Sequence, residues 1–111
     1  MTEFLTPARF AVPPDREAVA ADWRARGYSC HCFVDPPGRA WRDFVHDCNE
    51  VVTVLEGRLE LEVAGTRLEA APGDEVFIPK GALHSVVNLH RGTTIWLFGY
   101  DEIKPRSIGI N

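Results

Sequence analysis

The sequence predicts an all-β domain, an antiparallel sandwich or barrel, with a short helix or arm ahead of it. Two observations carry this reading. From residue 28 to residue 100, short runs of strand formers alternate with Gly, Pro, Asp and Asn turn signals, enough for seven or eight strands. Within residues 58–63, Leu59, Leu61 and Val63 alternate with Arg58, Glu60 and Glu62, the period of a strand dry on one face and wet on the other.

Taken in order, residues 15–26 ask for a helix. Asp15 is placed to cap it after Pro13-Pro14, Val19 and Trp23 share a face at i,i+4, and Gly27 supplies the stop. Ahead of it, Phe4, Leu5 and Phe10 read as an arm that covers an edge strand, exchanged between two copies of a homodimer. Strands are expected at 28–34, 41–46, 50–56, 58–63, 66–69, 74–78, 83–89 and 93–100. Asp47-Cys48-Asn49 reads as a turn, Gly57-Arg58 as a hairpin, and Pro79-Lys80-Gly81 as a break. This divides the chain into an arm and helix (1–27), a barrel (28–103) and a C-terminal tail (104–111).

With 111 residues the chain suits one domain and one site. Twelve basic against sixteen acidic residues give a net charge of -4, with no basic run to follow a phosphate backbone, so nucleic acid is excluded as a partner. No stretch approaches the roughly 20 apolar residues of a membrane span, and the opening MTEFLTPARF lacks both parts of a signal peptide. A soluble, cytoplasmic protein without a membrane partner is expected. Cys30 and Cys32 flank His31 too closely on one strand for an easy disulfide, and with Cys48 the count is odd, so thiols in a reducing compartment are expected.

The chemistry concentrates around His46, Cys48 and Glu50, two residues apart and followed by Val51-Val52-Thr53-Val54-Leu55. An apolar run does not accept ionisable groups without a partner. The spacing here is regular: Gly38, five residues, Phe44, one residue, His46, three residues, Glu50, six residues, Gly57. A second set follows as Gly73, five residues, Pro79, one residue, Gly81, two residues, His84, three residues, Asn88. Nine of these ten positions resemble the two motifs of the cupin superfamily, and the exception is Phe44, where the family has its first histidine.

The resemblance implies a double-stranded β-helix, or jelly-roll barrel, with His46, Glu50 and His84 pointing inward onto a divalent metal. Two imidazoles and one carboxylate suit Fe, Mn, Ni or Zn and leave coordination positions open for a small organic ligand or substrate. Phe44 cannot coordinate; it makes the pocket smaller and drier and disfavours a large, highly polar substrate. Cys48 shares the ligand face only if residues 44–50 form one unbroken strand, which the turn signal opposes. Without metal, the alternative is a small-molecule-binding or sensory module that does no catalysis. The sequence does not choose between enzyme and binding protein, nor among oxygenase, isomerase, lyase and hydrolase chemistry.

Other residues receive plainer readings. His31 faces away from Cys30 and Cys32 on a strand and is structural; His90 belongs to a surface loop. Trp41, Phe77, Trp96 and Phe98 are read as packing, although aromatics at a barrel mouth suit an apolar or planar ligand. Asn88 is expected to tie backbone near His84.

Overall fold

Alternating sequence runs become two antiparallel sheets facing each other, with the apolar side chains of both trapped between them. The structure is a computed structural model and describes residues 3–101; the predicted tail, 104–111, lies outside them. In chain order the elements are β1 (Leu5–Thr6), α1 (Arg16–Ala25), β2 (His31–Asp35), β3 (Ala40–Phe44), β4 (Glu50–Glu56), β5 (Leu59–Val63), β6 (Thr66–Ala70), β7 (Glu75–Ile78), β8 (His84–Val87) and β9 (Thr94–Tyr100). One sheet has the order β1-β7-β4-β9-β2 and the other β3-β8-β5-β6. This is the predicted jelly-roll, with one strand more than the turn signals indicate.

The extra strand is β1. It is two residues long and pairs Leu5 with Val76 on β7, while Phe10 N–H donates to Gly73 O at 3.0 Å. The arm therefore covers an edge strand of its own chain. A two-residue strand carries no period, which is why the sequence shows an arm but not a strand.

Gly57-Arg58 is not a hairpin, and this is a correction. β4 and β5 belong to different sheets, so the chain crosses between layers there. Gly57 has φ 100°, and a Cβ on it would collide with Thr94, whose Oγ1 accepts from Arg58 N–H at 3.2 Å. Only glycine accommodates both demands. By contrast, Ala64-Gly65 is a true two-residue hairpin loop, with φ 49° and 84°, joining Val63 to its partner Thr66.

The helix forms as expected. Asp15 accepts from Glu17 N–H at 3.2 Å, and Val19 and Trp23 are buried against Val51 and Leu97 on the outer face of the larger sheet. Cys30 and Cys32 pack against this same cluster, and all three cysteines are thiols. Successive β4 residues thus serve two cores: Val52 and Val54 point into the barrel, Val51 toward the helix. Trp23 also donates its indole N–H to buried Glu75 at 2.9 Å, where Arg26 completes the carboxylate's pairing at 2.6 Å.

Trp23 should anchor the helix both by packing and by that hydrogen bond. Urea unfolding followed by circular dichroism should show Trp23→Ala losing about 3–5 kcal/mol. Trp23→Phe, which keeps most of the ring but leaves Glu75 without its indole donor, should lose about 1–3 kcal/mol.

Candidate metal centre

The two sheets meet at one mouth of the barrel, and the ionisable residues arrive there from three places. Glu50 opens β4, where it is paired with Ile78 on β7 and with Tyr100 on β9. His84 opens β8 in the other sheet, paired with Phe44. His46 lies between, on the segment that carries the chain from β3 across to β4.

That crossing segment is irregular, as the turn signal at residues 47–49 predicts, so Phe44 and Glu50 do not belong to one unbroken strand. It is held by backbone contacts that the sequence does not advertise. Gly81 N–H donates to His46 O at 3.0 Å, Lys80 N–H to Asn49 Oδ1 at 2.7 Å, and Asn49 donates from its backbone N–H and its Nδ2 to the two oxygens of Asp101, both at 2.9 Å. Asn49 thus pins the loop to the end of β9 and to the β7–β8 connection. A lone Asp past the last strand gives no pattern by which to find it.

A second irregularity aims the aromatic residues. Trp41 pairs with Val86 and Phe44 with His84, so Arg42 and Asp43 on β3 stand opposite Ser85 alone on β8. The bulge includes Asp43 at φ 60°, whose N–H is taken by Ser85 Oγ at 3.0 Å. In a regular strand Trp41 and Phe44 would face opposite sides; the bulge turns both toward the cavity.

Donor atoms of His46, Glu50 and His84 all lie within 4.8 Å of one another. Glu50 Oε1 is 3.6 Å from His46 Nε2 and 3.5 Å from His84 Nε2, yet it accepts no hydrogen bond from the described residues despite being buried. His84 Nδ1 lies 3.0 Å from Ala82 O; donation to that carbonyl leaves the Nε2 lone pair facing Glu50. The Glu50 oxygen and the two imidazole nitrogens therefore converge on one point without a hydrogen bond to Glu50 Oε1 among the described residues. Ligands at about 2.1 Å from one ion stand roughly 3.0–3.5 Å apart, so the spacing fits a divalent metal.

Burial governs the electrostatics. It pushes the Glu50 carboxyl up to about 7, and it lowers the His46 imidazole, helped by neighbouring His84. Tyr100, beside them, is pushed up to about 12 by burial and then by the Glu50 charge. Phe44 sits over the pair, its ring 6.2 Å from that of His46 with an interplanar angle of 18°, and 39% of it is exposed. A cavity of about 240 Å³ opens beside these groups, with Phe33, Trp41, Val86, Trp96 and Phe98 completing its lining.

The remaining candidates fall elsewhere. Cys48 is not among the converging donors. His31 is exposed, its ring 5.3 Å from that of Phe98 and tilted to it by 33°, while His90 is in a loop. Asn88 ties backbone as expected, but at the far end of β8 from His84: it donates to Asp35 O, Pro36 O and Gly92 O at 3.0, 2.8 and 3.2 Å. The functional role missed by the sequence reading is that of Asp35, fully buried, whose Oδ2 accepts from the indoles of Trp41 and Trp96 at 3.2 and 3.1 Å.

A family model described as cupin domain matches residues 31–100. The chain is a cupin. Its fold is shared by a protein of Thermus thermophilus at TM-score 0.61 and 27% identity, over 66% of this chain and 71% of that one. A cupin 2 domain-containing protein of Halorhodospira halophila gives 0.64 at 23% identity, over 78% and 60% of the two chains. Oxalate oxidase in complex with the substrate analogue glycolate gives 0.64 at 19%, over 72% of this cupin and 44% of that chain. The last two likenesses are of fold alone. No curated protein matches the chain. Among the described residues, no helix is long and apolar enough to cross a membrane.

The raised Glu50 sets a pH signature for the metal-free protein. Because the folded carboxyl holds its proton to about pH 7 and the unfolded one only to about 4.3, its contribution to stability is full at low pH and is lost as pH rises through 7. The loss should approach roughly 3 kcal/mol by pH 8. In EDTA, Glu50→Gln should therefore gain melting temperature relative to the parent as pH goes from 5 to 8. A constant difference across that range would contradict the assignment.

Proposed function

We propose that this cupin holds a divalent metal through His46, Glu50 and His84 and binds or transforms a small organic molecule in the adjoining cavity. The observation that carries the reading is Glu50 Oε1: buried, accepting no hydrogen bond from the described residues, and faced by two imidazole nitrogens at 3.5 and 3.6 Å. A cation among these atoms satisfies all three at once. The donor set suits Fe, Mn, Ni or Zn. Bound there, such an ion supplies Lewis acidity and open coordination positions.

The chain's own residues do the rest. The contact of His84 with Ala82 O orients its ring, and the bonds to Gly81, Lys80 and Asp101 hold the His46 segment in place. Phe44 and the aromatic wall keep water from the carboxylate. In place of catalysis, the same cavity would serve a binding or sensory module.

A cytoplasmic homodimer belongs to the same proposal. The thiol state of all three cysteines supports a reducing compartment. Exposed Val34 on edge strand β2, and Val45 just past edge strand β3, each 58% exposed, support pairing between barrels. Light scattering at micromolar concentration should give twice the chain mass, and a monomer would refute the dimer.

Metal binding is tested by elemental analysis of protein purified without chelator or metal column, together with thermal shifts. The parent should carry stoichiometric metal, or gain about 2.7 kcal/mol of stability from added Fe, Mn, Ni or Zn at a hundredfold excess over Kd. His84→Ala should lose both. Phe44→His, which places a fourth nitrogen opposite His84, should tighten binding. Absence of metal and of any shift would leave the metal-free module as the surviving function.

A further inference from the structure

The cavity's size, wall and charge together specify a class of ligand, an inference that rests on the metal-binding reading. About 240 Å³ is smaller than the roughly 300–1,000 Å³ of ordinary ligand pockets, yet larger than the about 150 Å³ that admits benzene. One ring with a head of a few atoms fills it.

The wall is apolar for a specific reason. Phe33 meets Trp41 and Trp96 edge to face, with centroids 5.3 and 6.0 Å apart, so the lining presents ring surface. Tryptophan would ordinarily offer an N–H to a ligand. Here both indole N–H groups are committed to Asp35 Oδ2 behind the wall, at 3.2 and 3.1 Å. A hydroxyl or amide on the ligand's body would find no partner among these side chains, a loss large enough to select against sugars and polyols. The lining's polar groups cluster at one end, where the His46, Glu50 and His84 donors stand with Tyr100.

Charge decides what the ligand's head is. A divalent ion held by two neutral imidazoles and one carboxylate keeps one positive charge; among the described residues Glu50 is the only acid in the lining, and Asp35 behind the wall is faced by Arg39, its Nε 4.0 Å from Oδ1. Beside an apolar wall that excess is costly unless matched. A single negative charge on the ligand cancels it, whereas a second would reverse the imbalance.

We propose that the cavity takes a small planar aromatic monoanion, its oxyanion head (carboxylate, phenolate or enolate) at the His46, Glu50 and His84 end and its ring against Phe33, Trp41 and Trp96. Trp41 and Trp96 make tryptophan fluorescence a direct report of occupancy, and zinc, being redox-silent, permits the measurement. The zinc-loaded full chain is titrated with benzoate, benzyl alcohol, acetate and phthalate. Benzoate should bind one per chain and at least tenfold more tightly than each of the others: the same ring without charge, the same head without ring, and the dianion. Equal affinity for benzoate and any one of them overturns the proposal. Zinc content measured on the same sample separates the two failures. Zinc held without a preference for benzoate removes this ligand class alone; no zinc held, with no thermal shift from Fe, Mn or Ni either, removes the metal reading and this one with it.

Discussion

The Glu50 carboxylate is the constraint around which the barrel mouth is organised. It begins a strand whose next residues build two cores, so it cannot swing out to water without dragging β4 from between β7 and β9. Held inside, it has two ways to avoid an unpaired charge: keep a proton, or share a cation with His46 and His84. The elevated proton affinity and the converging imidazoles are therefore two views of one fact. A proton and a metal compete for the same oxygen, and the protein's stability depends on which is there.

Because Glu50 and Tyr100 come from one sheet and His84 and Phe44 from the other, the geometry exists only when the layers are closed on each other. The core between the sheets sets their spacing, with Val52, Val54, Leu61 and Trp96 meeting inside. His46 depends on something more local. Its segment lacks a strand's ladder, and Asn49 substitutes side-chain and backbone bonds to Lys80 and Asp101 for it. A site drawn from three independent supports is preorganised by the whole barrel, so a defect at Asp101 reaches the metal ligands without touching them.

The parts legible in the sequence were those with a local period or a fixed spacing. Alternation marked the strand around Leu61, the i,i+4 pair Val19 and Trp23 marked the helix, and the two spaced motifs marked His46, Glu50 and His84. Pairing partners were not legible, because whether Gly57 turns a strand back or sends it to the other sheet depends on Thr94, far along the chain. The bulge at Asp43 was hidden for a related reason: it breaks the period that pattern reading assumes, and so conceals that Trp41 and Phe44 share a face. Asp35 stands just ahead of Pro36-Pro37, with no local pattern to mark it as a buried acceptor. Only the folded barrel brings two indoles to it, one from the next strand in the chain and one from β9, sixty-one residues on.

Phe44 shows how one residue can act on the site in opposite directions. At the register position opposite His84 it supplies no lone pair, so any bound ion has one protein ligand fewer than the family pattern implies. Its ring also lies nearly parallel to that of His46 and shields the space around Glu50. Shielding lowers the local dielectric, which penalises the bare carboxylate and strengthens its attraction to a cation. The same exchange that weakens the grip by a ligand deepens the need of Glu50 for a partner and leaves a coordination position open. An additional histidine would have spent that position on holding the ion; a phenyl ring keeps it for whatever enters the cavity.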